Sequence, residues 1–222
     1  TDLTNAYQIS INLCGDSWIG YFSPRDNKWN EASNTTTFFF SEGWVNLMYE
    51  YAITNIFAPW IQLKNINMSG ENPNKEMYAI AQISKIMGLH RSTDKFGPIP
   101  YKQVGNGSFT VEYDSQESVY RSFFEELDEA VTVLYDFYMK ANNTVPMASD
   151  VVYEGDVTKW IRLANSLMLR LAIRVRYADE VLARTYAEKA IKNPIGVMES
   201  IDDMAKMNSC LLYTSPSPRE TR

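Results

Sequence analysis

Gly155 to Val175 reads GDVTKWIRLANSLMLRLAIRV. Val157, Trp160, Ile161, Ala164, Leu167, Met168, Leu171, Ala172 and Val175 recur at steps of three and four, the period of an α-helix with one buried face. Asp156 stands where an N-cap is needed, its carboxylate able to accept from the first free backbone N–H groups. Arg162, Arg170 and Arg174 fall at the edge of the apolar stripe. Their stems are expected to cover it while their heads pair with carboxylates or carbonyls of neighbouring segments.

Upstream, the same period recurs. Ser115 caps a helix over 116–140 with Tyr120, Phe123, Phe124, Leu127, Val131, Leu134, Tyr135 and Tyr138 on one face. Asn72-Pro73 opens a helix to about residue 91, with Pro at its first position, Met77, Ile80, Ala81, Ser84 and Met87 on one side, and His90 a further candidate for that side. Ser41 starts another, faced by Trp44, Val45, Met48, Tyr51 and Ala52, which should end or kink near Pro59. Downstream, a shorter helix spans about 178–191, and Thr1 to about Leu13 reads as the tail of one more. Each helix is amphipathic, so each must pack on neighbours. The sum is an all-α chain of stacked helical hairpins, 42–62 with 73–91 and 116–140 with 156–176, joined by long irregular loops. It is TPR-like in architecture but lacks the 34-residue period of that repeat.

Two separated motifs resemble one family. Gly155, Asp156, Lys159 and Trp160, followed by Ala164, Asn165, Leu167, Leu169, Arg170, Leu171 and Ala172, look like the Gly-Asp-x-x-Lys-Trp, Ala-Asn-x-Leu and Leu-Arg-Leu-Ala signature of SusD/RagB nutrient-binding lipoproteins of Bacteroidetes outer membranes. Phe96-Gly97-Pro98-Ile99-Pro100-Tyr101 is similar to the Phe-Gly-x-x-Pro-Tyr loop of that family. The resemblance implies a SusD-like helical fold, no catalysis, and no cofactor. It further implies capture of oligosaccharides, peptides or other nutrients, and a SusC-type TonB-dependent transporter as partner. The expected address is the cell outer membrane, as a surface-exposed lipoprotein whose lipid anchor lies outside this chain. Family members are much longer than this chain. Residues 1–209 are therefore expected to be part of a single truncated SusD-like domain. Residues 210–222, from Cys210-Leu-Leu-Tyr-Thr-Ser-Pro-Ser-Pro-Arg onward, resemble a translated sequencing adapter and are set aside as a non-native tail.

Composition bounds what the chain can do. Its 222 residues allow one large domain or two small ones. A net charge of −6 with both signs interspersed argues against nucleic acid, which needs a basic face. No run of about 18 apolar residues is long enough to span a bilayer. No signal peptide is visible, and the absence of an initial Met implies that the native N-terminus is missing. Cys14 lacks the small residues that precede a lipid-acceptor cysteine and reads as a buried thiol; with Cys210 it makes too few cysteines for a disulfide framework.

Catalytic patterns are few. His90 is the only histidine, so an HExxH zinc pair is excluded, and no GxSxG, P-loop or GxGxxG occurs. Near a helix C-terminus, a partly positive His90 would suit the helix dipole. Glu125, Glu126, Asp128 and Glu129 lie on one helix and read as its solvated face, and Asp202-Asp203 as an exposed turn. Glycosidase carboxylates must instead face each other across a cleft. Gly105-Asn106-Gly107 is a turn, and the stiff Pro98-Ile99-Pro100 crossing is structural, anchored by Phe96 and Tyr101. Asn34, Asn67, Asn106 and Asn142 begin Asn-x-Ser/Thr triplets that mark Asn-rich loops.

One stretch suggests a ligand. Between residues 16 and 41, Trp18, Tyr21, Phe22 and Trp29 lie among Asp16, Asp26, Asn27, Asn30 and Asn34. Flat rings take the C–H face of a pyranose, and amides and carboxylates satisfy its hydroxyls. The candidate binding residues are Trp29, Tyr21, Phe22, Trp18, Asn30 and Asn27, with Trp29 the ring best placed for exposure. The alternative is that the rings fold into the core. Phe38, Phe39 and Phe40 form either a buried turn or the lead into the next helix, while Trp44, Trp60 and Trp160 belong to helical core faces. Two rival functions stay open: a helical protein–protein interaction module without sugar affinity, and a helical glycoside hydrolase.

Overall fold

The computed structural model describes residues 15–69, 71–140, 143–146 and 150–206, together with Gln8 and Leu13. Cys14, Asn142, the tail 210–222 and most of the expected 1–13 helix lie outside the described residues, as does the side chain of Met48. Among the described residues six α-helices follow one another: α1 (Glu42–Ala52), α2 (Ala58–Met68), α3 (Lys75–Phe96), α4 (Gln116–Met139), α5 (Val157–Val175) and α6 (Glu180–Lys192). From α2 onward each packs on the next, as the stacked-hairpin reading requires. No strand is present among the described residues; two isolated antiparallel bridges, Ile99–Asp114 and Thr144–Asp156, tie loops together.

The starts of the helices follow side-chain chemistry. Ser115 accepts from the N–H of Ser118, Asp156 from those of Thr158 and Lys159, and Asp179 from that of Leu182. The first end expected for a helix moves, however. Helical backbone continues past Pro59, because a π-turn over Ile53–Phe57 ends α1 and lets Pro59 sit in the first turn of α2, where its missing N–H costs nothing. α3 likewise starts later and runs farther than 73–91. Asn74, not Pro73, forms the start by accepting from Met77 N–H, and Gly97, at φ +73°, closes the end with its N–H on the Thr93 carbonyl.

The buried face of α3 also differs from expectation. Ser84 and Met87 are exposed, whereas Ala79, Ile80, Ile83, Ile86, Leu89 and Thr93 are buried. The helix lies between α2 and α4, so a wide face is covered and charged residues are drawn inside. Lys85, 3% exposed, places Nζ 2.8 Å from Glu126 Oε2, 4.1 Å from the Trp60 ring centre and 4.6 Å from that of Tyr101. Tyr101 donates to the same Glu126 oxygen at 2.5 Å, and the Trp60 indole donates to Gln82 at 2.6 Å. Burial pushes Lys85 below its ordinary value, against the pull of Glu126, and pushes the Tyr101 phenol well up. Glu126 is therefore an interior partner and not part of a solvated face.

His90 is buried as well. Nδ1 faces the Ile86 carbonyl at 3.2 Å, while Nε2 has no hydrogen-bond partner among the described residues. Burial lowers its pKa, so the imidazole is a neutral core residue and not a charged cap. The structural reading of residues 96–101 holds: Ile99 exchanges both backbone bonds with Asp114, whose carboxylate also accepts from Lys102 N–H at 2.9 Å.

α5 carries the predicted stripe, with Val157, Trp160, Ile161, Ala164, Leu167, Met168, Leu171 and Ala172 all buried. Its entry is fixed by Asp150. One carboxylate oxygen accepts from Val152 and Tyr153 N–H, the other from Gly155 N–H at 2.8 Å and the Trp160 indole at 2.7 Å. Gly155 sits at φ +82°, and a Cβ there would lie 2.2 Å from the Val145 carbonyl oxygen. The chain after α6 is sewn to α5. Arg162 pairs with Asp203 at 2.7 Å, Asn165 donates to Gly196 O, and Ser166 Oγ accepts from Met198 N–H. Asp203, 3% exposed, also accepts from Glu199 and Ser200 N–H; those bonds and Arg162 hold its carboxyl well below the usual range. It is a buried cap, unlike the exposed Asp202 beside it.

Two measurements test this entry. Gly155→Ala must meet both a left-handed backbone and a carbonyl contact, and is expected to cost about 2–4 kcal/mol in a urea melt. An unchanged midpoint would show that the loop reshapes freely. For Asp150, burial raises the pKa, but the Trp160 indole and three backbone N–H groups outweigh it and hold the group below its ordinary value. Its stabilisation is therefore present above the ordinary carboxylate range and lost as pH falls through the folded value. Asp150→Asn is expected to lose about 1–3 kcal/mol at neutral pH. The gap to the unmodified chain should narrow as the melts are repeated from about pH 5 towards about pH 2.

Candidate functional site

The stretch before α1 is irregular yet tightly bonded. Asn34, 1% exposed, donates its amide to the carbonyls of Trp29 at 2.6 Å and Asn27 at 3.1 Å. Its side-chain oxygen accepts from the N–H and hydroxyl of Thr36, and Thr37 bonds back to the carbonyls of Ala32 and Asn34. Inside this clasp Asn30, Glu31 and Ala32 all take left-handed conformations, at φ 55°, 54° and 63°. Asn tolerates that region, but Glu and Ala lose roughly 1–2 kcal/mol each there, so the Asn34 bonds must outweigh the strain.

The clasp turns side chains outward. Trp29, Phe22, Pro24, Arg25, Asp26 and Lys28, with Leu13, Ser17 and Ser23, line an open depression of about 510 Å³. Trp29 is 46% exposed and leans on the half-buried Trp44 with ring centres 6.1 Å apart; Phe22 is 57% exposed. The rings thus stay out of the core. Trp44 is itself drawn toward them, while Trp60 and Trp160 are core residues as expected.

Of the six candidates, the structure brings Trp29 and Phe22 together on this wall. Trp18 packs at 6.1 Å from Phe40, and Tyr21 is 75% exposed; neither lines the depression. Asn27 enters the loop through its main-chain carbonyl, which accepts from Asn34, and the Asn30 amide donates to Ser33 O at 2.7 Å; neither residue lines the depression. Phe38, Phe39 and Phe40 lead into α1 with open rings, not as a buried turn. Arg25 and Lys28 were missed as lining residues, although two cations within four positions between Phe22 and Trp29 were legible.

A second depression, about 450 Å³, lies among Asp94, Tyr120, Gln116, Arg174 and Asp179. Its groups are committed to one another: Tyr120 donates to Asp94 at 2.5 Å, Arg174 pairs with Asp94 at 3.3 Å, and Arg121 pairs with Asp179 at 2.7 Å. Burial, then Asp94, pushes the Tyr120 phenol up. No group of three or more His, Cys, Asp or Glu among the described residues is arranged to hold a metal ion. No described helix is long and apolar enough to cross a membrane.

The family model described as Susd and RagB outer membrane lipoprotein matches residues 1–218. The chain belongs to the SusD/RagB family. Among solved structures, a chitin-binding SusD homologue from Flavobacterium johnsoniae is 34% identical with a TM-score of 0.83, over 91% of this chain and 41% of that one. A SusD homologue from Bacteroides vulgatus is 32% identical with a TM-score of 0.80, over 91% and 40%. A chitin-binding protein is 29% identical with a TM-score of 0.74, over 91% and 42%. The chain therefore spans about two-fifths of the length of each of these structures. Comparison with curated proteins finds no match. The helical, TPR-like fold is thus the SusD-like one.

The clasp is open to a direct check. Asn34→Ala removes a group that makes four hydrogen bonds to three loop residues, and amide hydrogen exchange over 27–37 is expected to speed up about tenfold or more, while α3 to α5 keep their protection. Equal protection in both proteins would show that the loop is held by other contacts.

Proposed function

We propose that this SusD/RagB chain is the glycan-capturing part of a non-catalytic outer-membrane lipoprotein. The carrying observation is the Trp29–Phe22 wall, two large rings kept in solvent by a buried amide clasp. Exposed rings beside charged groups suit a pyranose, whose C–H face stacks while its hydroxyls meet polar neighbours. Trp29 and Phe22 are the stacking rings, Tyr21 and Trp18 flank them, and Asn27 and Asn30 are the amides nearest in sequence to Trp29 for meeting sugar hydroxyls. Two of the structurally similar proteins are chitin-binding, which makes oligomers of N-acetylglucosamine the first probe. The remaining steps are those proposed from the family: a lipid anchor to the outer membrane, exposure at the surface, and delivery of the captured nutrient to a SusC-type TonB-dependent transporter.

A second reading, a protein-interaction module, is supported by other open rings: Phe38 at 83% exposure, Phe40 at 63%, and the fully exposed Phe109. These suit a protein partner better than a sugar, because they do not line the depression.

Isothermal titration with chitotetraose separates the two. Binding that weakens roughly tenfold in Trp29→Ala, about 1.4 kcal/mol, is expected of a stacking platform. Equal affinity in both proteins would take Trp29 out of the site.

A further inference from the structure

The wall that carries the rings also carries charge. Arg25 and Lys28 line the depression against one carboxylate, Asp26, in a chain whose net charge is −6. Asp26 is already engaged: Oδ1 accepts the backbone N–H of Lys28 at 2.9 Å, closing a local turn. Neither Arg25 nor Lys28 forms an ion pair among the described residues, while Lys85, Arg121, Arg162, Arg174, Arg184, Lys189 and Lys192 all do. The fold thus pairs many of its cations and leaves these two facing an open, partly apolar hollow.

We infer that this depression selects acidic glycans, sugars bearing a carboxylate or a sulfate ester, over neutral ones. The inference rests on the glycan reading above and adds the chemical class of the sugar. A pyranose stacked on Trp29 directs its equatorial substituents outward from the ring, into a depression that Lys28 and Arg25 also line. A guanidinium grips a carboxylate or sulfate through two parallel N–H···O bonds, and an ammonium adds a second point charge. A neutral hydroxyl gains little from either cation. Because the site is open, the attraction is screened by salt, which gives it a signature that stacking alone lacks.

The test is titration of the 222-residue chain with three tetrasaccharides at about 25 mM and about 300 mM NaCl. Tetragalacturonate carries carboxylates, a carrageenan tetrasaccharide carries sulfate alone, and chitotetraose is neutral. At low salt one or both acidic sugars are expected to bind about tenfold tighter than chitotetraose, and which of them does so identifies the group recognised. At high salt that advantage should fall to about threefold or less. In Arg25→Ala/Lys28→Ala, with its circular dichroism unchanged, the ratio of acidic to neutral affinity is expected to approach one; Arg25→Lys with Lys28 intact should keep most of it. Equal or tighter binding of chitotetraose by the unmodified chain overturns charge selection and leaves glycan capture standing. So does a preference that survives the double substitution. No heat with any of the three overturns glycan capture itself.

Discussion

Asp150 is the constraint on which the helical stack depends. It is 8% exposed and accepts four N–H groups, three from the loop 152–155 and one from the indole of Trp160, a full turn inside α5. A carboxylate so placed is stable only when its lone pairs are filled, and filling them leaves one path for the chain into the helix. The neighbouring Tyr153 stands edge-on to Trp160 at 5.3 Å and donates to the Asp203 carbonyl at 2.5 Å. One acidic residue thereby sets the approach of α5 and, through Tyr153, the return of the chain after α6. Since α5 packs between α4 and α6, an error at its entry would spread to both.

A second interior charge organises the other end. Lys85, Glu126, Tyr101, Trp60 and Gln82 join α2, α3, α4 and the 97–115 connection through one continuous polar contact set. An ion pair of this kind contributes less to stability than an apolar core of equal volume, but breaking one partner is costly. It also fixes relative position. The Tyr101 hydroxyl reaches Glu126 only if the Pro98–Pro100 crossing takes its present course. The two sequence motifs shared with the family are thus each tied to a carboxylate, the buried Asp150 and the half-buried Glu126.

Periodicity made the helices legible, and caps made several of their starts legible, because both depend on residues close in the chain. The faces of α4 and α5 could be read for the same reason. α3 could not: its exposed Ser84 and Met87 and buried Lys85 follow from being covered on two sides, which no single helix reveals. Pro59 misled because a π-turn upstream relocated it to a harmless position. At the site, the exposure of Trp29 was legible from its polar neighbours, whereas Phe22 could not be told from a core ring. Asn34, one of the polar residues among the rings, and Asn30, a candidate binding residue, both use their amides on backbone carbonyls of their own loop. Asn side chains do this wherever strained turns leave carbonyls unpaired, and a sequence does not say which carbonyls those are.

Asn34 holds the main-chain carbonyls of Asn27 and Trp29, and its side-chain oxygen is filled by Thr36. The clasp thus grips Trp29 by its backbone and leaves its ring to line the depression. Among positions 25, 26 and 28, only Asp26 lends its side chain to the loop, by accepting Lys28 N–H, so positions 25 and 28 can exchange one side chain for another without removing a bond of the frame. A surface built so can change what it recognises by replacing single residues, with its architecture left as it was.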